Sequence, residues 1–474
     1  VMVASTGASQ GGEISEQGAR DLRGTLTHFL SRDLADSGFL TVKPISNRYE
    51  ITYDLAKFFD KVSSSDFSIA GLKPLTMFAA PAAKGLWNID GDNSFAISAH
   101  SKVGEGPPTD VQYALASLVY SGVFDPAISY LRSLDATARD FRLSSATGLE
   151  KVEASAAGLT YNLSTTDTAR PGTVDVLSNG TMSDFYEKVA GPAAGNTEVK
   201  ADTFDFNTKA TGVPVKEIRD LLHFVLEHIK AKKLSKSGGD KFVRLVRAAL
   251  PLFVSLDDTV TTNNLSVVTD RGKVGLSKLT YSLKMDGLTK ASSIGFGIRA
   301  ENLKLESGAV PPGYEALVPD MAVVEVGIPD MNLAAAADLL LQADFSTQDG
   351  FSSGKGKRVE QAIFPNDRLT VDFPKISAVS AVYDLDVSGK LVSNLQQTDR
   401  YAVQLSVLAR DYDKTIAFVQ NAAKTDPELN QISFVMMMAK GFAKTDPDGR
   451  QRWDLAVAED GTFSVNGQVM TAPK

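Results

Sequence analysis

The stretch Ala381-Val382-Tyr383-Asp384-Leu385 sets an aromatic, a small polar residue and a leucine in that order. The same order recurs at Tyr53-Asp54-Leu55, Tyr161-Asn162-Leu163, Tyr281-Ser282-Leu283 and Trp453-Asp454-Leu455. In four of the five, the residue two before the aromatic is Ile51, Leu159, Leu279 or Ala381, so apolar side chains fall on every second position. That is the spacing of a strand with one buried face. Any antiparallel sheet can produce such triplets. Yet five of the 12 Tyr and 2 Trp carry this one, and each lies downstream of a stretch that reads as helix. The spacing therefore predicts a repeated helix-then-strands unit.

Working outward, Ala19, Leu22, Leu26, Phe29, Leu30 and Leu34 form a helical stripe ended by Ser37-Gly38. Residues 41–45 and 49–55 alternate as strands about a Ser46-Asn47 turn, and short strands continue to residue 99. After Gly104-Glu105-Gly106-Pro107-Pro108, the residues Val111, Leu115, Leu118, Val119, Phe124, Ile128, Leu131 and Leu134 predict a second helix, interrupted at Asp125-Pro126. Strands are expected at 141–145, 149–154 and 159–163. Residues 165–183 and 190–197 are rich in Thr, Asp, Gly and Ala and read as the softest part of the chain. Pro214 opens a strong amphipathic helix through Ile229, paired with another over 242–256.

Short strands then run over 265–305, with a strand at 322–328 and an alanine-rich helix capped by Asp330 or Asn332. Strands over 368–408, a helix pair at 412–423 and 427–442, and a closing Trp453 hairpin complete the pattern. The Tyr161 and Tyr281 triplets each follow a Leu-Asp pair (134–135 and 256–257) by about 25 residues, which reads as internal similarity. The expected organisation is a flexible start or signal remnant at 1–12, an N-terminal α+β half at 13–190 and a C-terminal α+β half at 191–474.

Composition narrows the function classes. The 43% apolar and 22% charged fractions are those of a folded globular chain, and the net charge of −8 argues against a nucleic-acid backbone or an anionic membrane surface as main partner. The basic runs Lys230 to Lys236 and Lys355 to Arg358 read as solvated helix ends or loops. With no cysteine there are no disulfides, thiolate metal sites or thiol nucleophiles. No run of about eighteen apolar residues spans a membrane as a helix. The opening Val-Met-Val-Ala-Ser-Thr-Gly-Ala has small residues at Thr6 and Ala8, compatible with a signal-peptidase site, and points towards export.

The motifs for chemistry fail on inspection. Gly350-Phe351-Ser352-Ser353-Gly354 has the spacing of a hydrolase elbow, but the histidines (28, 100, 223, 228) all precede the serine. Gly354-Lys355-Gly356-Lys357 lacks the Ser or Thr of a phosphate loop. His223 and His228 are five apart and fall on different helix faces. Asp90, Asp92 and Asn93 form an acidic turn without the closing glutamate of a calcium loop. Met436, Met437 and Met438 read either as core gap-fillers or as a soft surface for an apolar ligand or partner. No catalytic residue, metal or cofactor is assigned, and the chain is expected not to be an enzyme.

The fold class expected is α+β, in repeated helix-plus-antiparallel-strand units, with a long curved antiparallel sheet packed on amphipathic helices. With its Trp453-Asp454-Leu455 hairpin, Asp460-Gly461 and Asn466-Gly467, the chain resembles an uncharacterised family of exported alphaproteobacterial proteins. It also resembles AsmA-like and BPI-like (TULIP) lipid-binding proteins. The resemblance implies curved sheets that embrace helices and hold acyl chains, and no catalytic residues. The function expected is a periplasmic binder or carrier of a lipid or other apolar ligand, with Tyr53, Tyr161, Tyr281, Tyr383 and Trp453 as inward, ligand-lining aromatics. The alternative is a non-catalytic structural or interaction protein of the envelope, with an envelope protein as partner and a fully packed core.

Overall fold

The computed structural model describes residues 14–27, 32–60, 66–102, 104–192, 195–228, 233–308, 310–343, 345, 355–397 and 399–471. The chain divides into two compact units, residues 1–254 and 255–474.

In the first unit the helices α1 (Glu16–Thr27) and α2 (Arg32–Ala35) precede β1 (Leu40–Ile45) and β2 (Arg48–Tyr53). The turn α3 (Ala56–Phe59), β3 (Phe67–Ala70), β4 (Leu75–Pro81) and β5 (Trp87–Ser101) follow. Five long strands then run as a meander: β6 (Thr109–Asp125), β7 (Tyr130–Thr147), β8 (Glu150–Asp167), β9 (Val174–Gly191) and β10 (Gly195–Val213). The pair α4 (Val215–His228) and α5 (Lys236–Ala249) closes the unit. All pairings are antiparallel, in the order β1–β2–β4–β5–β6–β7–β8–β9–β10, with β3 on the other half of β5's β4 edge.

A crease crosses these long strands. The ladder skips Ala116, Asp140, Ala157, Asp184 and Asp202, one residue in each of β6 to β10, while the register on both sides of the gap stays the same. Each of the five strands therefore carries one extra residue in one transverse row. β5 lacks it, and the β5–β6 pairing absorbs the difference as a one-residue shift after Asn93. Asp140 and Asp184 take the left-handed conformation (φ 52° and 53°), which an aspartate tolerates better than most residues. An extra residue inverts side-chain alternation. In β6 the inward positions are 111, 113 and 115 before the crease and 118 and 120 after it, and the inward set inverts likewise in β8.

In the second unit β11 (Ser255–Thr269), β12 (Gly272–Asp286), β13 (Ser292–Glu301), β14 (Lys304–Ser307) and β15 (Met321–Met331) lead to helices α6 (Leu333–Leu340) and α7 (Lys355–Ile363). Next come β16 (Arg368–Val379), β17 (Asp384–Asn394), β18 (Tyr401–Arg410), α8 (Tyr412–Ala422) and α9 (Leu429–Phe442). The short strands β19 (Lys444–Thr445), β20 (Gln451–Val457), β21 (Phe463–Val465) and β22 (Gln468–Thr471) end the chain. This sheet too is an antiparallel meander with its own crease. Asn264, Ser277 and Asn302 are skipped by the ladder, and Asn264 and Asn302 are left-handed at φ 51° and 52°. Asn332 caps α6 by accepting from the Ala335 amide.

The expected α+β class is overturned. Strand makes up 54% of the residues against 22% helix, so this is a sheet-dominated fold and not a series of helix-plus-strand units. The helix expected over 111–134 is β6 and β7, with Asp125-Pro126 at their hairpin. The cause is the crease: Val111, Leu115 and Leu118 stand four and three apart because an extra residue lies between two runs of strict alternation, and the result counts like a helical stripe. The tract at 174–183 expected to be soft belongs to β9, and residue 190 lies where β9 pairs with β10. Leu134-Asp135 lies in β7 and Leu256-Asp257 in β11, so neither ends a helix. Asp90, Asp92 and Asn93 lie inside β5 rather than in a turn.

Candidate functional site

Directly paired residues of an antiparallel sheet share a face, so ladder registers trace each face across the strands. In the first unit one apolar face runs over β1 to β10. At the β1–β5 end it is closed: Leu22 and Leu26 of α1 pack on the buried Leu40, Ile51 and Ala79, with Tyr53, Met77, Trp87 and Ile89 around them. Beyond β5 the face continues through the row Gly91, Tyr120, Ala136, Tyr161, Gly180, Phe206. Large and small residues alternate here. A Cβ at Gly91 would lie 2.5 Å from the Tyr120 ring, and one at Gly180 would lie 3.4 Å from Tyr161 and 3.7 Å from Phe206. The rings thus lie along the sheet over the small neighbours. Most of the face remains half-buried, and Leu115, Ala138, Ala156, Thr165, Val174, Gly180 and Ala201 are among its fully buried members in β6 to β10.

The second unit has the same construction. A single row passes through Val260, Tyr281, Ile298, Val324, Ile376, Val387, Val407 and Trp453, on eight successive strands. At one end Trp453 is buried with Ala409 and Val465, beside Tyr412 of α8, and donates its Nε1–H to the Ala439 carbonyl of α9 at 2.7 Å. Towards the other end the row opens over Tyr281, Ile298 and Val324, which are 37%, 40% and 41% exposed, before the half-buried Val260, and Phe296, packed edge-on to Tyr281 at 4.8 Å between ring centroids, is 38% exposed. A buried apolar row thus grades into an exposed one without a change of residue type.

The five aromatics expected to line a site fall in three settings. Tyr53 lies in the closed end of the first face. It sits near Tyr120, and burial first, then that neighbour, raises its hydroxyl pKa above the ordinary value of 10.0. Tyr161 lies on the open part of that face, whereas Tyr281 and Trp453 occupy opposite ends of one row in the second unit. Tyr383 lies in the turn between β16 and β17, outside any strand, where its hydroxyl donates to the Leu317 carbonyl at 2.8 Å. Phe296, Ile298 and Val324 were not singled out from sequence. Their signal was present as alternation in β13 and β15, but it carried no aromatic triplet.

The opposite face of the first unit is polar and holds an open trough of about 740 Å³ over β5 to β9, edged by Gln112, Arg142, Glu153 and Tyr186. Tyr186 donates to Glu198 Oε1 at 3.1 Å, and Lys200 lies 3.3 Å from Glu198. Of these four edging side chains, Tyr186 is thus held by a neighbour on β10. Among the described residues no group of three or more His, Asp or Glu could hold a metal ion, and nothing positive indicates catalysis. Asn93 is tied to the Thr76 backbone and Asp90 to Arg48. His228 bonds the Phe224 carbonyl. The Gly350–Gly354 motif, the 1–12 segment and Lys230 lie outside the described residues, as does Gly354 of the lysine-rich near miss. Among the described residues no helix is long and apolar enough to cross a membrane. No family model, curated protein or solved structure matches the chain.

Proposed function

We propose that this protein is a non-catalytic binder of an extended apolar ligand, such as a lipid acyl chain, held along the apolar sheet faces where their helix cover ends. An exported, periplasmic carrier is the setting this reading fits. The observation that carries it is the row from Trp453 to Tyr281, closed at one end and about 40% exposed at Ile298 and Val324. A fully packed scaffold would cover these side chains, and soluble chains rarely leave so long an apolar face half open without a partner for it. Burying a methylene contributes about 0.8 kcal/mol, so about fourteen methylenes laid half-buried contribute about 5–6 kcal/mol. That suffices for binding with release.

The test is mass spectrometry of an organic extract of natively purified protein, together with titration of a fluorescent hexadecanoic acid. A co-purifying lipid, or saturable uptake weakened at least fivefold by Ile298→Glu and by Leu159→Glu, is the expected result. A clean extract from protein that also takes up no fatty acid would overturn the proposal.

A further inference from the structure

Helix α9 is amphipathic in the wrong sense for a helix of a soluble surface. Its inner side is Leu429, Ser433 and Met436, and the fully buried residue among these is the serine. Its outward side carries Phe434, Val435, Met438 and Phe442, flanked by Ile432 and Met437, with exposures from 38% at Phe442 to 59% at Phe434. The polar residues exposed in its first turn, Asn430 and Gln431, are uncharged. The one charged residue of the helix, Lys440, is paired with Asp413 of α8. Three side chains hold the inner side at successive turns: Tyr412 Oη donates to the Met436 carbonyl at 3.3 Å, Trp453 Nε1 to Ala439 at 2.7 Å and Asn466 Nδ2 to Phe442 at 2.6 Å. The outward stripe is therefore fixed in place and not a fraying end.

From this we infer that α9 docks the protein onto the surface of a lipid bilayer, with Phe434, Met438 and Phe442 set among the acyl chains near the headgroups. Four features favour a bilayer over a protein partner. The stripe offers roughly 500 Å², short of the about 800 Å² per partner of a stable protein interface, whereas binding to a bilayer grows continuously with the apolar area inserted. It has no charge to select a partner by pairing. Its 14 residues extend about 21 Å, too short to span hydrocarbon but suited to lying in the interface. Flexible methionines also fit a fluid surface better than a fixed one.

The experiment is flotation of the full chain with phosphatidylcholine–phosphatidylethanolamine vesicles, at low and high salt, with analytical ultracentrifugation alongside. Expected are flotation that salt changes less than twofold, a partition coefficient at least tenfold lower in Phe434→Glu and in Met438→Glu, and a blue-shifted tryptophan signal on vesicle addition in Phe434→Trp. Both charged variants point into solvent and should retain fatty-acid uptake, which separates this inference from the ligand-binding proposal above. Failure of the wild type to float, equal flotation of the charged variants, or loss of a solution dimer in those variants would overturn it.

Discussion

The two apolar faces share a plan and differ in side chains, and the difference decides how open each one is. In the first unit, small seats such as Gly91 and Gly180 let Tyr120, Tyr161 and Phe206 lie across onto the neighbouring strands, so the rings cover the sheet themselves. In the second, the row is mostly Val and Ile, whose branched stems stand up from the pleat. Without a helix above, their tips stay in water, as Ile298 and Val324 do. Exposure here follows from the pairing of large with small residues as much as from whether a helix lies above. The creases differ as well. The first crosses five strands with aspartates in the left-handed positions, the second three with asparagines.

The harshest way to break the comparison is to remove one extra residue. Deleting Asp184 takes the insertion out of β9 while β8 and β10 keep theirs. One half of β9 must then turn Phe185 and Val189, or Met182, to the polar face. At about 1.5–3 kcal/mol for each large side chain exposed, a loss of about 4 kcal/mol or more is expected in urea unfolding. Deleting Asn264 from the narrower crease should cost less, because β11 has one partner there rather than two. Equal losses would mean that crease width does not matter.

The same extra residue explains what could be read in the sequence. Where alternation or helical spacing ran unbroken it was legible: the first half of the N-terminal stripe (Ala19, Leu22 and Leu26 in α1, with Phe29 and Leu30 outside the described residues), the Ser46-Asn47 turn between β1 and β2, the Asn332 cap and the helix pair α8–α9 stand where they were expected. β6 was not legible, because Ala116 inverts its alternation without any breaker residue to announce it. The signals that existed were Asp140 and Asp184, acidic residues in the middle of strand-like runs, and they are weak ones since Asp is common on exposed strand faces. The aromatic triplet falls on an apolar face at Tyr53, Tyr161, Tyr281 and Trp453, whereas Tyr383 ends the turn that leads into β17. Of the three methionines, Met436 faces in while Met437 and Met438 face out, which spacing alone could not assign.

A milder test sharpens the contrast between lying and standing side chains. Gly91→Ala places a methyl 2.5 Å from the Tyr120 ring, which must lift from its seat. A loss of about 1–3 kcal/mol is expected, the range for overpacking, and it should shrink in the background of Tyr120→Ala. If the loss is unchanged in that background, the glycine is required by the backbone and the ring has nothing to do with it.

The smallest expected effect is on the alkaline limb of stability, and it again separates the closed end of a face from the rest. Burial, and then the neighbouring Tyr120, raises the Tyr53 hydroxyl above its ordinary value of 10.0. Burial also leads the rise at Tyr120, against an Asn93 hydrogen bond that lowers it. A raised value means that folding favours the neutral phenol. The contribution is therefore fully present below the unfolded value near 10 and is lost as pH climbs through the higher folded value. Absorbance titration at 295 nm should show Tyr53→Phe removing a late-ionising tyrosine, and the variant should lose less stability than the wild type between pH 10 and higher pH. A variant whose lost absorbance lies at the ordinary value would place Tyr53 in contact with water, and with it the end of the face that α1 is taken to close.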